Sequence, residues 1–215
     1  MNHKIRMEIL NRFRRRDTYS SNTDLCVNSN FELLISTVLS TRSRNSLVNL
    51  VTEDLYRTAN NANKMIFLGS KKIKKIIEKI GLSRVKSKNI LNICQILIQK
   101  YKGNVPNTRK SLECLPGVGR KVSNVVLNIG FGYSTIAVDT HVFRVCNRTG
   151  FAISNSYLKL EKYLLSIVPI RFRRRFHYLF FLHGKVICTY KNPSCLCCFI
   201  SDLCEYKNKN MTINS

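Results

Sequence analysis

The chain is predicted to be all-α on three observations. Apolar residues recur at helical spacing in several stretches, Gly and Pro punctuate those stretches at short intervals, and no stretch makes a convincing strand. Short links between many short helices point the same way, and there is no internal repeat and no low-complexity linker.

Taken in order, Met1-Asn2-His3-Lys4-Ile5-Arg6 leads into an amphipathic, Arg-rich segment without the apolar run of a signal peptide. Its periodic residues continue into the body of the chain, which argues against a transit peptide. Residues 31–40, 46–56 and 62–68 are expected helices. Ile73, Ile76, Ile77 and Ile80 repeat at i, i+3, i+4, i+7, and so do Ile90, Ile93, Cys94 and Leu97, so each set should face a core along one helix stripe. A helix beginning near Thr108 should end at Pro116, because proline restricts the residue before it. Gly117 and Gly119 allow positive φ, and Val122, Val125, Val126 and Ile129 then resume helical spacing. Asp139 stands ahead of Val142, Val145 and Cys146 as a helix N-cap. Residues 157–168 and 172–182 complete the set, with Gly69, Gly81, Gly103-Asn104, Gly150 and Pro169 as stops. The polar tail 207–215 is expected to be disordered.

A chain of 215 residues with 44% hydrophobic and 22% charged content can bury a core as one large or two small domains, and needs no metal merely to fold. Lys and Arg number 36 against 12 Asp and Glu, a net charge of +24. Part of that excess fits the chain's general richness in Asn, Lys and Ile; the rest implies a surface for a polyanion, nucleic acid first. No apolar run approaches the roughly 18 residues of a membrane span. The protein is therefore expected in the cytoplasm, with its thiols reduced or metal-bound. Cys26, Cys94, Cys114 and Cys146 have apolar neighbours and read as small core residues.

Three segments carry chemistry. Leu115-Pro116-Gly117-Val118-Gly119-Arg120-Lys121 reads as a helix-hairpin-helix whose glycines and helix start leave backbone N–H groups facing outward, a nest for phosphate. An ordinary helix connection needs only one glycine; Arg120 and Lys121 directly after it favour the phosphate. Lysine chemistry needs a neutral amine, so nearby cations, a helix N-terminus and partial burial must lower the Lys121 pKa from about 10.4. Asp139 in Val138-Asp139-Thr140-His141 can cap its helix and still serve as an oriented carboxylate, whereas His141 reads as a polar contact or groove-lining side chain before a proton shuttle. Cys188, Cys195, Cys198 and Cys204 form C-x6-C-x2-C-x5-C, four thiols within 17 residues, which suits a 4Fe-4S cluster better than paired zinc knuckles; Cys197 is a fifth cysteine in the same loop.

In these three motifs, and in their order, the chain resembles the endonuclease III family of the helix-hairpin-helix superfamily, over residues 5–206. The resemblance implies a two-lobed all-α DNA glycosylase fold. Residues 22–134 would carry the hairpin; residues 1–21 with 135–215 would carry a 4Fe-4S loop at 188–204, with duplex DNA across the cleft between the lobes. It implies a bifunctional glycosylase and abasic-site lyase acting on oxidised or ring-saturated pyrimidines and on abasic sites. Lys121 would be the nucleophile and Asp139 the catalytic carboxylate, while Gly117, Val118, Gly119 and Arg120 would meet the DNA backbone. The cluster would be structural or a charge-transfer element. Arg42 stands where the family usually has a Gln that fills the gap left by a flipped nucleotide, and Leu82 matches the family's wedge. Lys191 is the single cation of a loop segment that is more basic in the family, a loss that Arg171, Arg173, Arg174 and Arg175 would offset. Two rivals stand beside this reading. A glycosylase working with water alone would generally lack Lys121, and a non-catalytic DNA-binding or iron-sulfur protein would make Lys121 and Asp139 vestigial. A monomer without an obligate protein partner, close to the nucleoid through its DNA, is the expected state.

Overall fold

The computed structural model describes residues 1–18 and 23–211. Among the described residues there are ten helices and no strand: α1 His3–Arg15, α2 Asn30–Ser40, α3 Asn45–Thr58, α4 Ala62–Ile76, α5 Ser83–Tyr101, α6 Arg109–Glu113, α7 Arg120–Phe131, α8 Thr140–Thr149, α9 Tyr157–Ile167 and α10 Ile170–Val186. None is long and apolar enough to cross a membrane. The chain divides into two compact units, Thr23–Tyr133 and Met1–Asn22 with Ser134–Ser215. The first boundary expected from the sequence, 21/22, lies outside the described residues, as do the last four residues of the polar tail. Lys209 in that tail is anchored, its Nζ donating to the Ser201 carbonyl at 2.7 Å.

In the unit Thr23–Tyr133, α2 packs on α3 and α7, and α4 on α5. Leu34, Ile35, Leu39, Ile90, Ile93, Leu97 and Val126 close the core between them. The α5 stripe read from the sequence is buried throughout. The preceding stripe differs in one respect: α4 ends at Ile76, so Ile77 and Ile80 reach the core from the following turn. Gly69, with φ 77°, ψ 157°, is not helical, so α4 is two helices meeting at a kink and the expected helix 62–68 does stop at Gly69.

The second unit gathers α1, α8, α9 and α10 around Phe151, Phe176 and Phe180, with Ile9, Phe13 and Val142. Phe176 and Phe180 stack at 4.0 Å between centroids, and Phe13 stacks on Phe180 at 4.6 Å. Gly184 lets α10 lie against α8, since a Cβ there would come within 2.9 Å of the His141 Cβ. Cys94 and Cys146 are buried as expected; Cys26 and Cys114 are exposed. Their apolar neighbours belong to the core, but each cysteine sits outside a helix, where period no longer decides direction.

Candidate active site and thiol loop

The hairpin is closed by its own backbone. Thr108 caps α6, and Val118 N–H donates to the Leu115 carbonyl at 3.0 Å. Val118 is itself buried and belongs to the core of this unit. Gly117 has φ +77° and its missing Cβ leaves room for Asn89, whose Nδ2 would otherwise be 2.8 Å away. Gly119 does not adopt positive φ: at φ −95°, ψ −175° it is the extended N-cap of α7. A Cβ at Gly119 would meet nothing within 4 Å. Neither backbone nor packing within the chain therefore requires glycine there, and the open space in front of it is what a close external group would use. Gly119 offers no capping side chain to α7, whose first residues are the half-buried Arg120 and Lys121. The start of the helix carries the partial positive charge of a helix N-terminus, to which Gly119 adds no side-chain acceptor.

Two loops of the same unit carry the other residues singled out in the sequence. Arg42 has φ 55° and Leu82 φ 63°; both are exposed, and with Lys102 they are the non-glycine residues at positive φ among the described residues. Left-handed backbone costs such residues roughly 1 kcal/mol or more each, and it turns both side chains out of regular helix. Leu82, 56% exposed, is no helix-end core residue. A Cβ on Gly81 would lie 4.0 Å from the Arg42 carbonyl, so the two loops are neighbours. Between them lies a residue the sequence did not flag: Lys86 is 4% exposed, and burial lowers its pKa.

In the other unit Asp139 caps α8. Its Oδ1 accepts from the N–H groups of His141 and Val142, both at 2.9 Å, so Oδ2 takes part in neither cap bond. His141 is half-buried, edge-on to Phe181, with Nδ1 3.2 Å from Arg144 Nη2. Further along α8, Arg144 donates to the carbonyls of Gly184 and Cys188, and Arg148 to those of Thr189 and Tyr190. The helix that directs Asp139 is thus also the one that holds the start of the cysteine loop.

That loop is a succession of turns, including Cys198 N–H to the Cys195 carbonyl and Cys204 N–H to the Ser201 carbonyl. Cys188, Cys195, Cys198 and Cys204 line one cavity together with Arg148, His183 and Lys209; Cys197 is exposed and does not line it. Burial pushes the Cys198 thiol up to about 11, and charge on Cys204, Cys188 and Cys195 acts in the same direction. Arg148 Nη1 stands 3.8 Å from Cys188 Sγ, and His183 Nε2 3.7 Å from Cys198 Sγ. Among the described residues no three His, Cys, Asp or Glu side chains stand close enough to hold a metal ion. A four-iron cluster spaces its thiolates more widely than a single ion does, so the donor set, four thiols lining one cavity with Arg148 and Lys209, fits a cluster.

Lys191 is exposed. Of the four arginines expected to compensate for it, two are committed within the protein: Arg173 donates to the carbonyls of Val168 and Leu165, and Arg175 pairs with Asp17.

Fold and site together define a class. Residues 35–169 match the model of the HhH-GPD superfamily base excision DNA repair proteins, and the chain belongs to that family. Within it the chain is 50% identical over 212 residues to endonuclease III of Buchnera aphidicola subsp. Baizongia pistaciae, covering 98% of each chain. It is 46% identical over 209 residues to endonuclease III of Escherichia coli strain K12, covering 97% of this chain and 99% of the relative. A solved structure of an endonuclease III trapped as a covalent intermediate with DNA superposes with a TM-score of 0.89 at 36% identity, covering 95% of this chain and 96% of the other. The resemblance to endonuclease III, the all-α helix-hairpin-helix fold and an activity in base excision repair as a DNA glycosylase with abasic-site lyase activity are thereby established.

Proposed function

We propose that the protein binds duplex DNA, removes oxidised or ring-saturated pyrimidines and cleaves the resulting abasic site, with Lys121 as nucleophile and Asp139 as its carboxylate partner. The damaged nucleotide is first turned out of the stack. The neutral Lys121 Nζ forms a bond to C1′ as the N-glycosidic bond breaks, and the base departs with the bonding electron pair. Loss of the amine protons and opening of the sugar ring at O4′ give a C1′ Schiff base. A proton then leaves C2′ and the 3′ C–O bond breaks, expelling the 3′-linked phosphate. Asp139 receives a proton from the amine and stabilises positive charge developing on the sugar.

What supports this reading is that one chain carries both a hairpin helix that begins with a lysine and, in its other unit, a carboxylate that keeps one oxygen outside its cap, and that a similar protein was captured covalently on DNA. Gly119 supports the phosphate role of the hairpin, since only an external group gives its glycine a reason. Arg120 adds charge to that cradle, Arg42 and Leu82 fill the gap left by the extruded nucleotide, and exposed Lys191 meets phosphate. Cys188, Cys195, Cys198 and Cys204 would hold a 4Fe-4S cluster, whose bonds to the four thiolates would cross-link the loop and supply no step of base removal. The protein works in the cytoplasm on the nucleoid.

Borohydride added during reaction with a duplex containing thymine glycol should trap a covalent protein–DNA adduct. Lys121→Ala should give no adduct, and nicking by that variant at the unaltered rate would refute the assignment.

A further inference from the structure

We propose that Lys86 is a positioning residue: its buried ammonium ties the loop that carries Arg42 to the helix start that carries Leu82, so that the two side chains are held as one unit. The inference rests on the reading that those two side chains fill the gap left by an extruded nucleotide. Lys86 Nζ is bonded to the Leu39 carbonyl at 2.9 Å, the Thr41 carbonyl at 2.7 Å and Ser43 Oγ at 3.1 Å. Three donors on an ammonium meet three acceptors, which is what a buried charge needs to be tolerated. Leu39 and Thr41 lie at the carbonyl end of α2, where the helix dipole favours a cation.

An exposed lysine or water could satisfy those carbonyls at less cost, so capping alone does not account for burial of the charge. The backbone of Lys86 supplies the rest, for its N–H donates to the Leu82 carbonyl at 2.9 Å. One residue thus binds the neighbour of Arg42 through its side chain and Leu82 through its main chain. Arg42 and Leu82 themselves are held in left-handed backbone, φ 55° and 63°, a conformation that persists only where surrounding contacts enforce it. One helical turn further on, Asn89 touches the hairpin at Gly117. Lys86 and Asn89 stand three residues apart on α5, so one stretch of that helix serves the Arg42 loop, the hairpin and, through the Lys86 main chain, its own N-cap Leu82.

The test compares two duplexes, one with thymine glycol opposite adenine and one with the same lesion opposite a tetrahydrofuran spacer, where there is no partner base to hold in place. Lys86→Met should lower excision opposite adenine at least tenfold, and opposite the spacer by less than threefold, with 2-aminopurine fluorescence beside the lesion falling in parallel on the first duplex. Arg42→Ala and Leu82→Ala should show the same selectivity. Equal losses on both duplexes for Lys86→Met, with selectivity intact in the other two variants, would overturn the clamp and leave only a stabilising role. Loss of selectivity in Arg42→Ala and Leu82→Ala themselves would overturn the reading beneath it as well. Should Lys86→Met fail to fold, Ser43→Ala removes one of the three acceptors; it should cost about threefold opposite adenine and nothing opposite the spacer, and no difference would count against the clamp.

Discussion

The two units hold their candidate residues in different ways. In Thr23–Tyr133 the hairpin and both loops are fixed from within, by a positive-φ glycine at 117, a closed apolar core and one buried ammonium. In the other unit the cysteine loop consists of turns, and it is gripped from outside by the guanidinium groups of Arg144, Arg148 and Arg12, the last donating to the Phe199 carbonyl and to Asp202. The first arrangement needs no ligand to be complete. The second brings four thiols to one cavity, and the charges they would carry oppose one another until cations bind among them. Between these extremes stands Asp139, whose direction comes from two amide bonds of its own helix.

That contrast can be broken most forcefully at Asp139. Asparagine caps a helix about as well as aspartate, so Asp139→Asn should keep the amide bonds and lose the charge. Turnover is expected to fall about 100- to 10,000-fold with the melting temperature nearly unchanged. Asp139→Ala should lose as much activity and also about 1 kcal/mol of stability. A drop in stability for Asp139→Asn as large as for alanine would show that the carboxylate is only a cap.

The two hairpin glycines should respond differently to alanine. Gly117→Ala forces an alanine into φ +77° and against Asn89, and denaturant unfolding should show a loss of about 1–2 kcal/mol. Gly119→Ala meets no atom and needs no unusual dihedral, so unfolding should change by less than about 0.5 kcal/mol while DNA affinity falls roughly tenfold. Equal effects at both positions would remove the argument for phosphate in front of Gly119.

The smallest effect is expected at Lys191. Removing one exposed phosphate contact should reduce the slope of log affinity against log salt by about 0.9 and weaken binding only a few-fold near physiological ionic strength. An unchanged slope for Lys191→Ala would place that side chain off the DNA.

Much of this was legible in the sequence where local rules are strong. The α5 stripe from Ile90 to Leu97, the capping aspartate and the four-cysteine spacing each follow from period or composition. What escaped depends on neighbours distant in the chain. Lys86 sits among Arg84 and Lys88 and reads as one more solvated cation, until the end of α2 supplies its three acceptors. Positive φ at Arg42 and Leu82 has no signature, because neither residue favours it. Gly119 was read for its freedom of backbone, yet its backbone is ordinary and the space before it is the informative feature. Arg173 and Arg175 looked available to phosphate and are spent on a helix end and on Asp17.

One atom, Lys121 Nζ, is proposed to form the bond to the sugar. Protease digestion of the borohydride-trapped complex followed by mass spectrometry reads that atom directly. The deoxyribose remnant should be found on the peptide containing Lys121 and on no other amine; a remnant on a different lysine or on the N-terminus would contradict the account.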